Sequence, residues 1–99
     1  MAVIAHVVLE GVTKAQYDAV RAECGWLVDP PTGGLAHLAW WEGDDNHNID
    51  AWESEEAFGA FGETRLGPAL AKLGVAAESK VDFHPAHEVF LPAALTKTS

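Results

Sequence analysis

The stretch from Asn48 to Phe58, Asn-Ile-Asp-Ala-Trp-Glu-Ser-Glu-Glu-Ala-Phe, constrains the fold more than any other part of the chain. Its first half alternates in the manner of a strand, which puts Asn48, Asp50 and Trp52 on one sheet face and Ile49 and Ala51 on the other. Ser54 then caps a helix, and Glu55 and Glu56 occupy its first turn, where the helix dipole favours negative charge. This strand-to-helix junction narrows the fold more than it narrows the function.

The flanking segments supply the remaining elements. Residues 2–10 are rich in β-branched side chains and form the first expected strand. Thr13 opens a helix by two devices, a capping box with Gln16 and a hydrophobic staple between Val12 and Tyr17. Tyr17, Val20 and Cys24 form its buried stripe, and Gly25 ends it. Asp29-Pro30-Pro31-Thr32-Gly33-Gly34 is a connecting loop. Residues 35–42 and 47–53 read as two strands joined by the turn chemistry of Gly43-Asp44-Asp45-Asn46. Phe58, Phe61 and Leu66 line the second helix, Gly67-Pro68 is expected to break it, and a shorter helical piece runs from Ala69 to Leu73. Residues 79–91 are the expected last strand, bent at Pro85. Residues 1–92 form one expected domain and 93–99 a flexible C-terminal tail. The order is βαββαβ, an α+β, ferredoxin-like antiparallel sheet with helices on one face.

Composition narrows the partners. The chain has 99 residues, 48% of them hydrophobic, and a formal charge of −9. So acidic a surface repels phosphate backbones and anionic lipid headgroups, which argues against nucleic acid and membranes. Cys24 is the only cysteine, so no internal disulfide can form and a reducing, cytoplasmic setting is expected. The apolar start is short, contains His6, and reads as a strand rather than a signal peptide. No run approaches the ~18 apolar residues of a membrane span.

The central hairpin carries the chemistry. With Asp44-Asp45 as its tip, His37 is expected opposite Trp52, Ala39 opposite Asp50 and Trp41 opposite Asn48. The other face pairs Trp40 with Ile49 and Leu38 with Ala51. Neither face is generally hydrophilic, and leaving such apolar residues exposed costs roughly 1.5–3 kcal/mol apiece. A second copy packed sheet to sheet, an isologous homodimer, relieves this.

Asp50-Ala51-Trp52-Glu53-Ser54-Glu55-Glu56-Ala57-Phe58, followed by Leu66-Gly67-Pro68-Ala69-Leu70, resembles the strand-to-helix "W-x-S-x-x-A-F" junction of the dimeric α+β barrel superfamily. The resemblance is to its antibiotic-biosynthesis-monooxygenase-like branch and the related haem-degrading enzymes, and it spans nearly the whole chain in element order. It implies a dimeric barrel and a cleft between sheet and helices lined by Trp52. His6 falls roughly at the strand-one polar position of that cleft. The helix histidine that binds haem iron in those relatives has no counterpart between Glu55 and Leu73. The superfamily includes cofactor-free oxygenases, haem enzymes, cyclases and members with no assigned activity, so fold alone does not select among them.

The site expected from these residues has His37 as general base and Asp50 as its orienter. Trp52 and Trp41 would stack on a planar aromatic ligand, and His6 and Asn48 would hydrogen-bond its oxygen. The bland alternative is that His37 and Asp50 satisfy each other and the tryptophans fill the core. His84 and His87 project to opposite faces of a strand and do not chelate one metal. Asp44, Asn46, Asn48, Asp50 and Glu55 mimic calcium-loop spacing, but Ile49 stands where such a loop needs glycine. No metal and no cofactor are expected. The leading expectation is a cofactor-independent monooxygenase-like enzyme acting on an aromatic or polyketide-like small molecule. The alternatives are a non-catalytic binding or structural dimer, and haem binding through His6, His37 or His84.

Overall fold

A computed structural model describes residues 1–91. The expected tail at 93–99 lies outside the described residues. The elements are β1 (Val3–Leu9), α1 (Lys14–Cys24), β2 (Gly34–Glu42), β3 (Asp45–Trp52), α2 (Glu55–Phe61), a π-helical segment (Gly62–Leu66), α3 (Gly67–Lys72) and β4 (Ser79–Pro85). The four strands form one antiparallel-paired sheet in the order β2-β3-β1-β4. This is the ferredoxin-like α+β arrangement expected from the sequence. No helix among the described residues is long and apolar enough to cross a membrane.

Local signals explain the boundaries. Thr13 accepts a hydrogen bond from the Gln16 backbone while the Gln16 side chain accepts from the Thr13 backbone, so the capping box is complete. Gly25 ends α1 in the left-handed region at φ 68°, and its N–H donates to the Arg21 carbonyl. Ser54 caps α2 by accepting from the Ala57 backbone at 3.1 Å. The core lies between the sheet and the helices. Ala5, Val7 and Leu9 of β1 meet Val12, Val20, Cys24, Phe61 and Ala69, with the fully buried Trp52 at the centre.

Three expectations are corrected. The hairpin tip is Gly43-Asp44, so His37 faces Asp50, Ala39 faces Asn48 and Trp41 faces Asn46. Gly43 alone of the two has positive φ, at 60°, which suits glycine at the first central position of a two-residue hairpin turn. The slip is two residues, so every side chain keeps its expected face while changing its partner. Gly67-Pro68 does not break the helix. The chain stays helical from Glu55 to Lys72 because Gly62–Leu66 widens into a π turn. Gly67 N–H then reaches Gly62 O, five residues back, and the wider turn relieves the crowding that Pro68 would impose on the preceding carbonyls. Finally, β4 ends at Pro85, opposite Val3 at the start of β1, because there is no strand beyond that point to pair with. As an edge strand, β4 tolerates the missing proline N–H.

The two exposed glycines of this helical run differ in surroundings. A Cβ on Gly67 would lie 2.9 Å from Gly62 O, whereas one on Gly59 would meet nothing within 4 Å. Gly59→Ala should therefore stabilise by roughly 0.5–1 kcal/mol. Gly67→Ala should destabilise by about 1–3 kcal/mol. Urea denaturation of both variants checks the opposite signs.

Candidate functional site

The inner sheet face brings His37, Trp41, Asn48, Asp50 and Trp52 beneath α1 and the turns that follow it. Asp50 is nearly buried, and both of its oxygens are used. Oδ1 lies 2.6 Å from His37 Nδ1, and Oδ2 accepts from Trp52 Nε1 at 3.3 Å. A carboxylate accepts only, so His37 donates from Nδ1, and in the neutral imidazole Nε2 is then an acceptor. Tyr17 of α1 donates to it, with its hydroxyl 2.5 Å from Nε2. The result is a directional chain, Tyr17 O–H to His37 to Asp50, braced by Trp52. It is the arrangement in which an imidazole takes a hydroxyl proton while a carboxylate holds the imidazolium. Burial raises the Tyr17 phenol above its ordinary 10.0; Arg21 opposes this, and Asp50 and Asp18 add to it. Tyr17 is therefore a neutral phenol near neutral pH.

Aromatic rings surround this chain. The Tyr17 ring lies parallel to His37, end to end through the hydroxyl with centroids 6.0 Å apart, and meets Trp41 edge-on at 5.5 Å. Trp26, in the turn after Gly25, lies 5.4 Å from both His37 and Trp52 and 5.5 Å from Phe61. Its indole covers the space beside His37 where a ligand was expected to stack. Trp41 donates its N–H to Val12 O at 2.8 Å. Asn48 donates to Val7 O and to the fully buried Asn46, and its Oδ1 is buried with no partner among the described residues.

His6 is corrected: it is not part of this group. It pairs with Ile49 in β1–β3 register, whereas Asp50 pairs with Ala5, so alternation sends His6 to the outer sheet face. There its Nε2 lies 3.1 Å from His47 Nδ1, beside Trp40, with Glu42 3.2 Å from His47 Nε2. Tyr17 and Trp26 were missed. Tyr17 was legible as a buried helix position, but its partner depends on tertiary packing. Trp26 follows a helix stop in a turn with no periodicity to orient it.

Both nitrogens of His37 are engaged in the core, His6 is bonded to His47 on the far face, and His84 is exposed on β4. Two clefts lie elsewhere, on either side of Arg65: one of about 430 Å³ bordered by Cys24, Val28 and Ala69, and one of about 180 Å³ bordered by Pro31, Ala57 and Phe61. Neither is lined by His37, Asp50 or Trp52. Arg65 donates to the carbonyls of Cys24 and Asp29 and to the Asp29 carboxylate, which fastens the Trp26 turn to the π segment.

No family model and no curated protein matches the sequence. Solved structures do. SnoaB from Streptomyces nogalater, described as a cofactor-independent oxygenase, superposes with a TM-score of 0.65 at 16% identity, over 89% of this chain and 95% of that one. The two chains share the α+β fold of a four-stranded antiparallel sheet with helices packed on it. A candidate antibiotic biosynthesis monooxygenase from Deinococcus radiodurans gives a TM-score of 0.62 at 17% identity, over 93% of this chain and 99% of that one. NE2512 from Nitrosomonas europaea, a protein of unknown function, gives 0.69 at 20% identity, over 94% and 96%. At these identities the likeness establishes the fold of the single chain, a four-stranded antiparallel sheet packed with helices, and activity does not follow from it.

The titration of Tyr17 is directly observable, since it is the only tyrosine. Its phenolate absorbance should appear at higher pH in the folded protein than after unfolding. A raised folded-state pKa contributes stability that is complete below the unfolded value and is lost as pH rises through the folded one. Unfolding free energy should therefore fall as pH climbs past about 10, and Tyr17→Phe should reduce that loss. Cys24, also raised above its ordinary 9.0 by burial, should leave a residual alkaline loss that Cys24→Ala reduces.

Proposed function

We propose that this chain is a small-molecule enzyme of the cofactor-independent oxygenase type, acting on a phenolic or polyketide-like compound in the cleft between sheet and helices. The observation that carries this is the oriented Tyr17–His37–Asp50 chain. A substrate hydroxyl placed against Tyr17 Oη passes its proton to that oxygen as the Tyr17 proton moves to His37 Nε2. The products are an electron-rich substrate anion and an imidazolium balanced by Asp50. The anion is the species able to react with dioxygen directly. In this reading Tyr17 touches the substrate and His37 is the base. Asp50 is a positioning residue braced by Trp52, and Trp41 packs edge-on against Tyr17. The fold shared with a cofactor-independent oxygenase supports the reading.

The Trp26 indole favours a second reading, a non-catalytic binding or structural protein, because it occupies the space beside His37. Oxygen uptake with a panel of polycyclic phenols separates the two. On the first reading the wild-type protein consumes oxygen with at least one of them. His37→Ala and Tyr17→Phe should then lose on the order of 10²-fold or more in kcat, with circular dichroism unchanged. Undiminished uptake in His37→Ala would exclude the relay. No uptake with any phenol, together with no small-molecule adduct in native mass spectrometry, would favour the structural reading.

We further propose that the outer sheet face pairs with a second copy. Leu38 is 60% and Trp40 37% exposed there, beside Ile4, Val8 and Ile49. Stranding such residues in water is costly, and an isologous contact removes the cost from both copies. Analytical ultracentrifugation should find a dimer, and Leu38→Asp should sediment as a monomer. A monomeric wild-type protein would refute the pairing.

A further inference from the structure

We propose that Tyr17 is a redox-active tyrosine, oxidised by one electron as its phenolic proton moves to His37 Nε2, and that the rings packed around it conduct the electron vacancy to it. This goes beyond the oxygenase reading and stands without it, because the device needs only an oxidant. Trp52 and Trp26 meet at 5.4 Å, Trp26 and His37 at 5.4 Å, His37 and Tyr17 at 6.0 Å, and Tyr17 and Trp41 at 5.5 Å, all by ring centroid. The buried indole of Trp52 is thus joined to the half-buried Trp41 by an unbroken series of rings.

Proton acceptors decide where the vacancy comes to rest. A phenol loses an electron readily only if its proton has somewhere to go, and Tyr17 has an imidazole acceptor at 2.5 Å. Trp41 offers its N–H to the carbonyl of Val12, which takes no proton, and the Lys14 ammonium 5.8 Å from its ring opposes positive charge on it. Trp52 faces Asp50, whose carboxylate already accepts a hydrogen bond from His37 on its other oxygen. Tyr17 is therefore the terminus and the tryptophans are the conductors. In the step, the Tyr17 O–H bond breaks, an Nε2–H bond forms on His37, and one electron leaves to a one-electron oxidant. That oxidant is an oxygen- or carbon-centred radical in the cleft or, in the test, a ruthenium(III) polypyridyl complex. The product is a neutral tyrosyl radical beside an imidazolium balanced by Asp50.

The test is laser-flash oxidation of the full chain with ruthenium tris-bipyridine and persulfate, followed by transient absorption and electron paramagnetic resonance. Because there is one tyrosine, any tyrosyl signal is that of Tyr17. The wild-type protein should yield it, more slowly in D2O than in H2O, and Tyr17→Phe should leave tryptophan radicals alone. His37→Gln, whose amide can still bond Asp50 but takes no proton, should slow tyrosyl formation on the order of 10²-fold, the contribution of a positioned base. Asp50→Asn should slow it in the same direction. Tryptophan radicals alone in the wild-type protein would overturn the proposal. So would a tyrosyl rate that is the same in D2O and in both variants. Should the variants fail to fold, the isotope effect on the wild-type protein decides the matter.

Discussion

The buried carboxylate of Asp50 is the constraint on which the rest of the structure turns. An ionised group taken out of water must be paired and hydrogen-bonded, and removing one partner of such a pair costs about 3–5 kcal/mol. Asp50 meets the requirement with His37 from the neighbouring strand and Trp52 from its own. That satisfaction is possible only in the register that sets His37 directly opposite Asp50. The same two bonds fix the His37 tautomer, and the tautomer in turn makes Nε2 the acceptor that holds Tyr17. One charge thus ties the hairpin register, the seating of α1 and the polarity of the relay together.

Around this centre the fold divides its labour by face. The inner face carries the core and the relay. The outer face carries Leu38, Trp40 and the His6–His47 pair, with Glu42 at its margin. The segregation follows from the two-residue period of a strand. It explains why His6 and His37, on the two strands that flank β3, lie on opposite faces of the sheet. The π segment has a comparable organising role. It keeps the chain helical past Gly67-Pro68 and presents Arg65 to the carbonyls at the end of α1, so the turn bearing Trp26 is held over the relay.

Much of this was legible in the residues. The capping box at Thr13 and Gln16, the stop at Gly25 and the cap at Ser54 are short-range devices, and each forms as its spacing requires. The faces of β2 and β3 were legible too, because alternation survives a slip of two residues. The cross-strand partners were not, since they depend on which residue of Gly43-Asp44-Asp45-Asn46 takes the positive φ. The helix break at Gly67 was misplaced because a π turn has no reliable composition of its own. His6 was misassigned because its face follows from pairing with β3, which no local pattern reveals.

The sequence by itself determined the order of elements, the side of the sheet on which each hairpin residue lies, and the presence of His37, Asp50 and Trp52 on one face. Those properties depend on neighbours in the chain, through backbone periodicity, capping and turn chemistry. Only the tertiary structure decided that His37 stands opposite Asp50, that Tyr17 completes the relay and that Trp26 covers it. Each of these contacts joins residues distant in the chain. They are selected by the need to satisfy a buried charge and fill the space above it, and that need arises only once the helix is packed on the sheet.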